Sequence, residues 1–248
     1  MLDKPFYFKN FALHHDDCAQ KIGTDSVLLA AAIPLCSSRR VLDVGCGCGV
    51  IGFCLADRLL RAGQTSLKVT GVDIDAASVG EARRNAAEFP AAGLADFDFR
   101  GISIQDFCAA PTTVGGRYDL IVSNPPYFQH SLKSDDARRN VARHTDNTLS
   151  FSDLVDCSAR LLAPGGQLFL ILPSSAAGEF VEMARAKLQL SFRMDIFPKE
   201  GKPENRAILG FTNGNVDEVR YSKFVIRDIN NCFTKDYIDF TKEFYLNF

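Results

Sequence analysis

Val41-Leu42-Asp43-Val44-Gly45-Cys46-Gly47-Cys48-Gly49 is the stretch from which the rest of the chain can be placed. An apolar run holding one acid ends in glycines at alternate positions. The run reads as a strand, Arg40 to Val44, covered on both faces, as strands of parallel sheets are. The glycines let the backbone turn sharply at the strand end and approach a ligand closely. The helical pattern that follows, Val50 to Leu60, then aims its N-terminal N–H groups at that ligand. A nicotinamide loop would read Gly-x-Gly-x-x-Gly and a P-loop would close on Gly-Lys-Ser/Thr; neither is present. Asp43 sharpens the choice. A bare carboxylate repels a pyrophosphate but attracts an α-ammonium group. That favours S-adenosylmethionine over a dinucleotide.

Moving outward, apolar runs alternate with helical patterns. Leu67 to Val72 is a second strand and Ala76 to Glu88 its helix. Phe97 to Ser103 and Asp119 to Ser123 are the next strands. A helix over Leu149 to Leu162 is stopped by Pro164-Gly165-Gly166. Strand Gln167 to Leu172, helix Ala176 to Leu188 and strands Phe192 to Phe197 and Arg206 to Phe211 complete the core. The expected fold is α/β, a doubly wound, mostly parallel seven-stranded sheet of Rossmann-like kind. Residues 1–34 form an extension with two short aromatic stretches and a helix capped by Thr24 or Asp25 and ended by Pro34. Residues 216–248 add a strand and a helix whose Tyr237, Phe240, Phe244 and Leu246 share one face.

Composition bounds the reading. The chain has 248 residues, 46% of them hydrophobic, which suits one well-filled domain over 1–248, with residues 35–215 as its core. With 20 Phe and no Trp, that core is Phe-rich. The net charge of -2 provides no general basic field, so nucleic-acid contact must come from local patches. The N-terminus lacks a signal-peptide pattern, and no apolar run approaches the roughly 20 residues that span a bilayer. A cytoplasmic protein without membrane attachment is expected. None of the eight cysteines falls in a Cys-x-x-Cys pair, so they read as reduced thiols and no metal site is expected.

More acids follow at successive strand ends. Asp73, with Ile74 beside it, closes the second strand, where a carboxylate accepts from ribose hydroxyls. Asp75 points the other way and caps the next helix. Asp106 follows the third strand and can accept from an adenine amino group, with Phe107 or Ile104 against the ring. Together with Asp43 these acids converge on one crevice.

Asn124-Pro125-Pro126-Tyr127 follows the fourth strand and opens into the same crevice. The adjacent prolines stiffen the loop. A planar NH2 group is a poor nucleophile because its lone pair is delocalised. Acceptors on its two N–H bonds draw the nitrogen toward tetrahedral geometry and free that pair. The Asn124 side-chain oxygen and the Pro125 carbonyl can be those acceptors, and Tyr127 offers a face for stacking. No strong general base is needed. His14, His15, His130 and His144 are given no chemical role.

These residues, in this order, resemble the class I S-adenosylmethionine-dependent methyltransferases that carry Asn-Pro-Pro-Tyr. The ends of the chain narrow this. Phe8-Lys9, then Lys21-Ile22-Gly23-Thr24-Asp25-Ser26-Val27-Leu28-Leu29, Val225-Ile226-Arg227 and Phe244-Tyr245-Leu246 are similar to the bacterial tRNA1(Val) adenine-N6-methyltransferase family. The resemblance covers nearly the whole chain. It implies S-adenosylmethionine as methyl donor and the adenosine at position 37 of a valine tRNA, beside the anticodon, as target. It puts Asp43, Gly45, Asp73 and Asp106 on cofactor motifs and Asn124 to Tyr127 on the catalytic one; Gly47, Ile74, Phe107 and Asn124 are further expected cofactor contacts. Lys21, Gly23, Thr24 and Asp25 close over the methionine end. Cys46 and Cys48 depart from the family's usual small residues. RNA contact then falls to local cations: Lys133, Arg138, Arg139 and Arg143 after the catalytic loop, and Arg193, Lys199, Lys202 and Arg206 near the last strands. No obligate protein partner is evident.

Three other readings compete. A release-factor glutamine-N5 methyltransferase also acts on a delocalised NH2, but that family has a helical N-terminal substrate domain, and about 40 residues precede the glycine strand here. A DNA adenine-N6 methyltransferase would need a target-recognition domain. A non-catalytic RNA-binding module would be expected to have lost Asn124 or Asp73, and both are present.

Overall fold

The computed structural model describes residues 4–18, 20–34, 38–90, 93–110, 117–125 and 149–246. Its strands are β1 (Phe6–Tyr7), β2 (Ala12–Leu13), β3 (Arg40–Val44), β4 (Leu67–Asp73), β5 (Ala95–Gly101), β6 (Tyr118–Ser123), β7 (Leu162–Pro173), β8 (Gln189–Phe197), β9 (Arg206–Thr212) and β10 (Arg220–Val225). Its helices are α1 (Thr24–Ala32), α2 (Val50–Arg61), α3 (Ala76–Glu88), α4 (Ile104–Ala109), α5 (Phe151–Leu161), α6 (Ser174–Ala184) and α7 (Lys235–Thr241). The main sheet runs β10-β8-β9-β7-β6-β3-β4-β5, and β1 pairs with β2 in a separate ribbon. Within the main sheet β9 is antiparallel to both neighbours and the other pairs are parallel.

The apolar runs become central strands because side chains alternate across the sheet and both faces are covered. Val41, Val122, Phe169 and Ile171 enter the core on one face, against α1, α2 and the chain termini. Leu42, Ile121, Leu168 and Leu170 enter the core on the other, against α5 and α6. Phe53 is fully buried between Phe89, Phe97 and Phe99, with ring centroids 5.2, 4.8 and 5.5 Å away. Truncating a phenylalanine so placed costs about 3–5 kcal/mol.

Buried polar groups tie the terminal segments to this core. Asn85 of α3 accepts from the His14 amide (2.8 Å) and donates to the carbonyls of His14 (3.0 Å) and Cys48 (3.1 Å). Glu81, one turn earlier, accepts from the amides of Asp16 and Asp17 and from the Cys18 thiol, at 2.9, 3.1 and 3.0 Å. The N-terminal segment is thereby fixed beside the glycine loop. At the other end, buried Arg58 pairs with Glu243 (2.8 Å) and donates to the carbonyls of Ala30 and Ile33.

The structure revises several expectations. Among the described residues the main sheet has eight strands, because β10 adds in parallel beside β8. Pro164-Gly165-Gly166 does not separate a helix from a strand: β7 starts at Leu162, and the glycines lie in a bulge where its register with β6 shifts. Ser103 is the N-cap of α4 rather than the end of a strand. α1 is capped by Gly23 without a side-chain bond, so Thr24 and Asp25 already lie in its first turn. α7 stops at Thr241; Phe244 is buried beyond it, while Leu246 is 57% exposed and leaves the aromatic face. Asp75 does cap α3, accepting from Ala77 and Ser78. Among the described residues no helix is long and apolar enough to cross a membrane.

Candidate active site

Register brings the sequence motifs together. Val44 lies opposite Ser123 on β6 and opposite Val72 on β4, and Asp73 lies opposite Gly101 on β5. The residues just past these positions therefore leave the same edge of the sheet on strands about 4.8 Å apart. The Ser123 hydroxyl donates to the Val44 carbonyl (2.8 Å) and fixes the β3 and β6 ends to each other.

The glycine loop needs its spacing. Gly45, Gly47 and Gly49 have φ of 68, 53 and 84°, in the left-handed region that other residues avoid. At Gly49 space is limiting too, since a Cβ would lie 2.7 Å from the Phe53 ring. The amides of Gly45 and Cys46 donate to the Val72 carbonyl at 2.8 and 3.2 Å, and Gly47 donates to Asp73 at 2.9 Å. The second Asp73 oxygen accepts from the Asp75 amide at 2.9 Å. Asp73 thus shapes the loop from the next strand, half-buried at the crevice edge. Ile74 beside it is 56% exposed.

Asp43 is fully buried at the end of β3. One oxygen accepts from the Gly52 amide (3.1 Å), and the other, Oδ1, has no hydrogen-bond partner among the described residues. Burial, reinforced by the charge of Asp73 and opposed by the Gly52 amide, pushes its carboxyl up to about 7. An orphan acceptor of this kind asks for a cationic donor. The α-ammonium of S-adenosylmethionine is such a donor, and the residues present fit that cofactor. Asp43 would hold the amino-acid end, the glycine loop would allow close backbone approach, Asp73 would offer acceptors and Ile74 an apolar surface.

Asp106 lies in the first turn of α4. It is held in a reciprocal cap, its amide donating to the Ser103 hydroxyl (3.1 Å) and that hydroxyl donating back to its carboxylate (2.8 Å). Its structural duty is therefore a cap, and it remains exposed. Phe107 is half-buried with the Arg100 guanidinium 5.6 Å from its ring centre, so it packs within the protein. Lys21 donates to the carbonyls of His15 (2.9 Å) and Asp16 (2.7 Å). Asp25 pairs with Arg206 at 2.8 Å, so one expected cofactor contact neutralises one expected RNA contact. Arg193 likewise pairs with Asp195 at 2.9 Å. Lys199 and Lys202 lie in the turn after β8 without an ion pair among the described residues. Pro126, Tyr127, Lys133, Arg138, Arg139 and Arg143 lie outside the described residues, as do His130 and His144.

Asn124 and Pro125 follow β6, both buried. Asn124 Nδ2 donates to the hydroxyl of Ser26 in the first turn of α1, at 3.1 Å. Sequence reading gave Ser26 no role. The signal lay in a hydroxyl at the start of an apolar helix, but its partner is 98 residues away.

A mostly parallel sheet, a left-handed glycine loop with an orphan carboxylate and an oriented amide on the neighbouring strand define a class I S-adenosylmethionine-dependent methyltransferase. The family model for the methyltransferase small domain matches residues 17–186. A tRNA1(Val) (adenine(37)-N6)-methyltransferase from Dickeya chrysanthemi is 37% identical over 98% of this chain and 94% of its own length. One from Phocaeicola vulgatus is 39% identical over 98% and 97%. Among solved structures, a predicted O-methyltransferase from Agrobacterium tumefaciens superposes with a TM-score of 0.65 at 19% identity, over 89% of this chain and 96% of that one. The chain belongs to the tRNA1(Val) (adenine(37)-N6)-methyltransferase family.

Proposed function

We propose that this protein methylates the exocyclic N6 of the adenosine at position 37 of tRNA1(Val), in the cytoplasm, with S-adenosylmethionine as donor. Near-full-length similarity to enzymes of that name supports the substrate. The observation that carries the chemistry is the Asn124–Ser26 contact. When bound, S-adenosylmethionine supplies an electrophilic methyl group on a sulfonium.

The chain's own residues do the rest. Ser26 accepts from Nδ2 and so fixes which way the Asn124 amide faces, presenting Oδ1 on its other side. Oδ1 and the Pro125 carbonyl accept from the two N–H bonds of the target amine. Each bond formed localises the nitrogen lone pair, which is the step that an unassisted adenine amine lacks. Burial of Asn124 and Pro125 strengthens both bonds by excluding competing water. A nitrogen made cationic by alkylation loses its proton readily, so no buried base is required. Tyr127 supplies the stacking face in this scheme.

The reading is tested by incubating purified protein with labelled cofactor and bacterial tRNA. Label should enter tRNA and be lost on Asn124→Ala, with the thermal melt retained. Label in a release factor with none in tRNA assigns a different substrate.

A further inference from the structure

We infer that a cavity at the carboxyl edge of β8 and β10 binds a phosphodiester of the substrate RNA strand flanking the target adenosine, with Arg227 as its ligand. The cavity holds about 220 Å³ and is lined by Thr24, Asp25, Asn205, Arg206, Arg227 and Phe233, among others. That is below the roughly 300 Å³ at which pockets take whole small ligands, so it suits one unit of a polymer. This inference rests on the tRNA reading above and locates part of its binding surface.

Arg227 is built to hold an anion. Its guanidinium carbon lies 4.0 Å from the centre of the Phe233 ring. Phe233 in turn stacks on Tyr237, with centroids 4.6 Å apart and planes 14° apart, and Tyr237 is buried. One Arg227 nitrogen donates to the Asn231 carbonyl at 2.7 Å. Column and carbonyl together fix the position of the fork, which lowers the entropic cost of using it. The other cation in the wall, Arg206, is neutralised by Asp25. Arg227 has no carboxylate partner among the described residues, so it is the uncompensated charge of the cavity. Glu200 accepts from the Ile229 amide and Asp228 from the Cys232 amide, and neither forms an ion pair with Arg227 among the described residues.

Its place in the fold identifies the anion. β8 lies three strand steps from β6, past β7 and β9, so the cavity is about 14 Å along the sheet edge from the strand that ends at Asn124. That span suits a few nucleotides of single strand. It lies on the side away from β3, β4 and β5, where the cofactor residues are. The first turn of α1 joins the two places, because Ser26 contacts Asn124 while Asp25 holds Arg206. A guanidinium fork matches phosphate oxygens bidentately.

The test is steady-state methylation of tRNA by the wild type, Arg227→Ala, Arg227→Lys and Phe233→Leu, each over a salt series. Losing one charge-assisted contact should raise the KM for tRNA about tenfold in Arg227→Ala. The slope of log affinity on log salt should fall by about 0.7. Arg227→Lys keeps the charge without the fork, and should keep the salt slope with an intermediate KM. Phe233→Leu should raise KM less than Arg227→Ala does. Affinity for S-adenosylmethionine should not change in any of them. Should Arg227→Ala fail to fold, Arg227→Lys and Phe233→Leu decide. Wild-type KM and salt slope in the folded variants overturn the inference. So does inhibition by inorganic phosphate at constant ionic strength that depends on Arg227 while the KM for tRNA does not, since the site then serves free phosphate. If the wild type methylates no tRNA at all, the activity reading falls first.

Discussion

Replacing Asp43 with asparagine should stabilise the cofactor-free protein and weaken its hold on S-adenosylmethionine. The carboxyl is fully buried, one oxygen lacks a hydrogen-bond partner among the described residues, and the folded protein raises it from an ordinary value near 3.9 to about 7. Below about pH 4 it is protonated in both states. Between about 4 and 7 the unfolded chain has released a proton that the folded chain retains, so stability falls as pH rises. About three pH units at ~1.4 kcal/mol each give a penalty of about 4 kcal/mol above pH 7. Asparagine is never charged, but its buried NH2 would lack an acceptor, which takes back about 1–3 kcal/mol. The net gain at pH 8 is therefore about 1–3 kcal/mol, a rise in Tm of several degrees for a domain this size. Cofactor affinity moves the other way. Loss of a charge-assisted bond to the ammonium weakens binding about 10- to 100-fold. In the wild type, binding should strengthen with pH up to about 7 and release a proton below it, because the ammonium needs the ionised carboxylate. Thermal melts from pH 4 to 8.5 and titration calorimetry in buffers of different ionisation heat read both effects. A wild-type melt flat across pH 4–7, or an Asp43→Asn protein that binds cofactor normally, would refute the reasoning.

Three further predictions concern other parts of the molecule. Ser26→Ala removes the acceptor that sets the Asn124 amide, so kcat should drop about tenfold with little change in cofactor affinity, and Ser26→Thr should restore most of it. Gly49→Ala places a Cβ 2.7 Å from the Phe53 ring at a φ of 84°, and should destabilise by about 2–5 kcal/mol in a denaturant melt. Glu243→Ala strips the buried Arg58 of its counter-charge, and should cost about 3 kcal/mol, lowering Tm by about 6–12 °C.

What could be read in the sequence was local. β3, the glycine loop and α2 follow from Val41 to Leu60 alone, because a two-faced apolar run, positive-φ glycines and a helical period are properties of neighbours. That Asp43, Asp73 and Asn124 lie at one sheet edge could be read because parallel topology brings successive strand ends there. What was not legible depends on long-range pairing. Ser26 meets Asn124 across 98 residues, and Asp25 meets Arg206 across 181. Period and spacing carry no trace of either. Arg206 therefore read as an open cation when it is a paired one. The carbonyls of His15 and Asp16 that Lys21 binds are brought to it only by the fold of residues 14–18 against α3, which spacing does not show. β10 gave a weak signal, since its residues are largely exposed on the sheet edge and lack the apolar run of a central strand.

In the proposed reaction an amide fixed by Ser26 activates the N6 amine of one tRNA adenosine. The most direct measurement is mass-spectrometric mapping of tRNA methylated by the wild type and by Asn124→Ala. N6-methyladenosine at position 37 of tRNA1(Val) from the wild type, and none from the folded variant, is the result expected. Methyl at another atom or nucleotide, or full activity in Asn124→Ala, would contradict it.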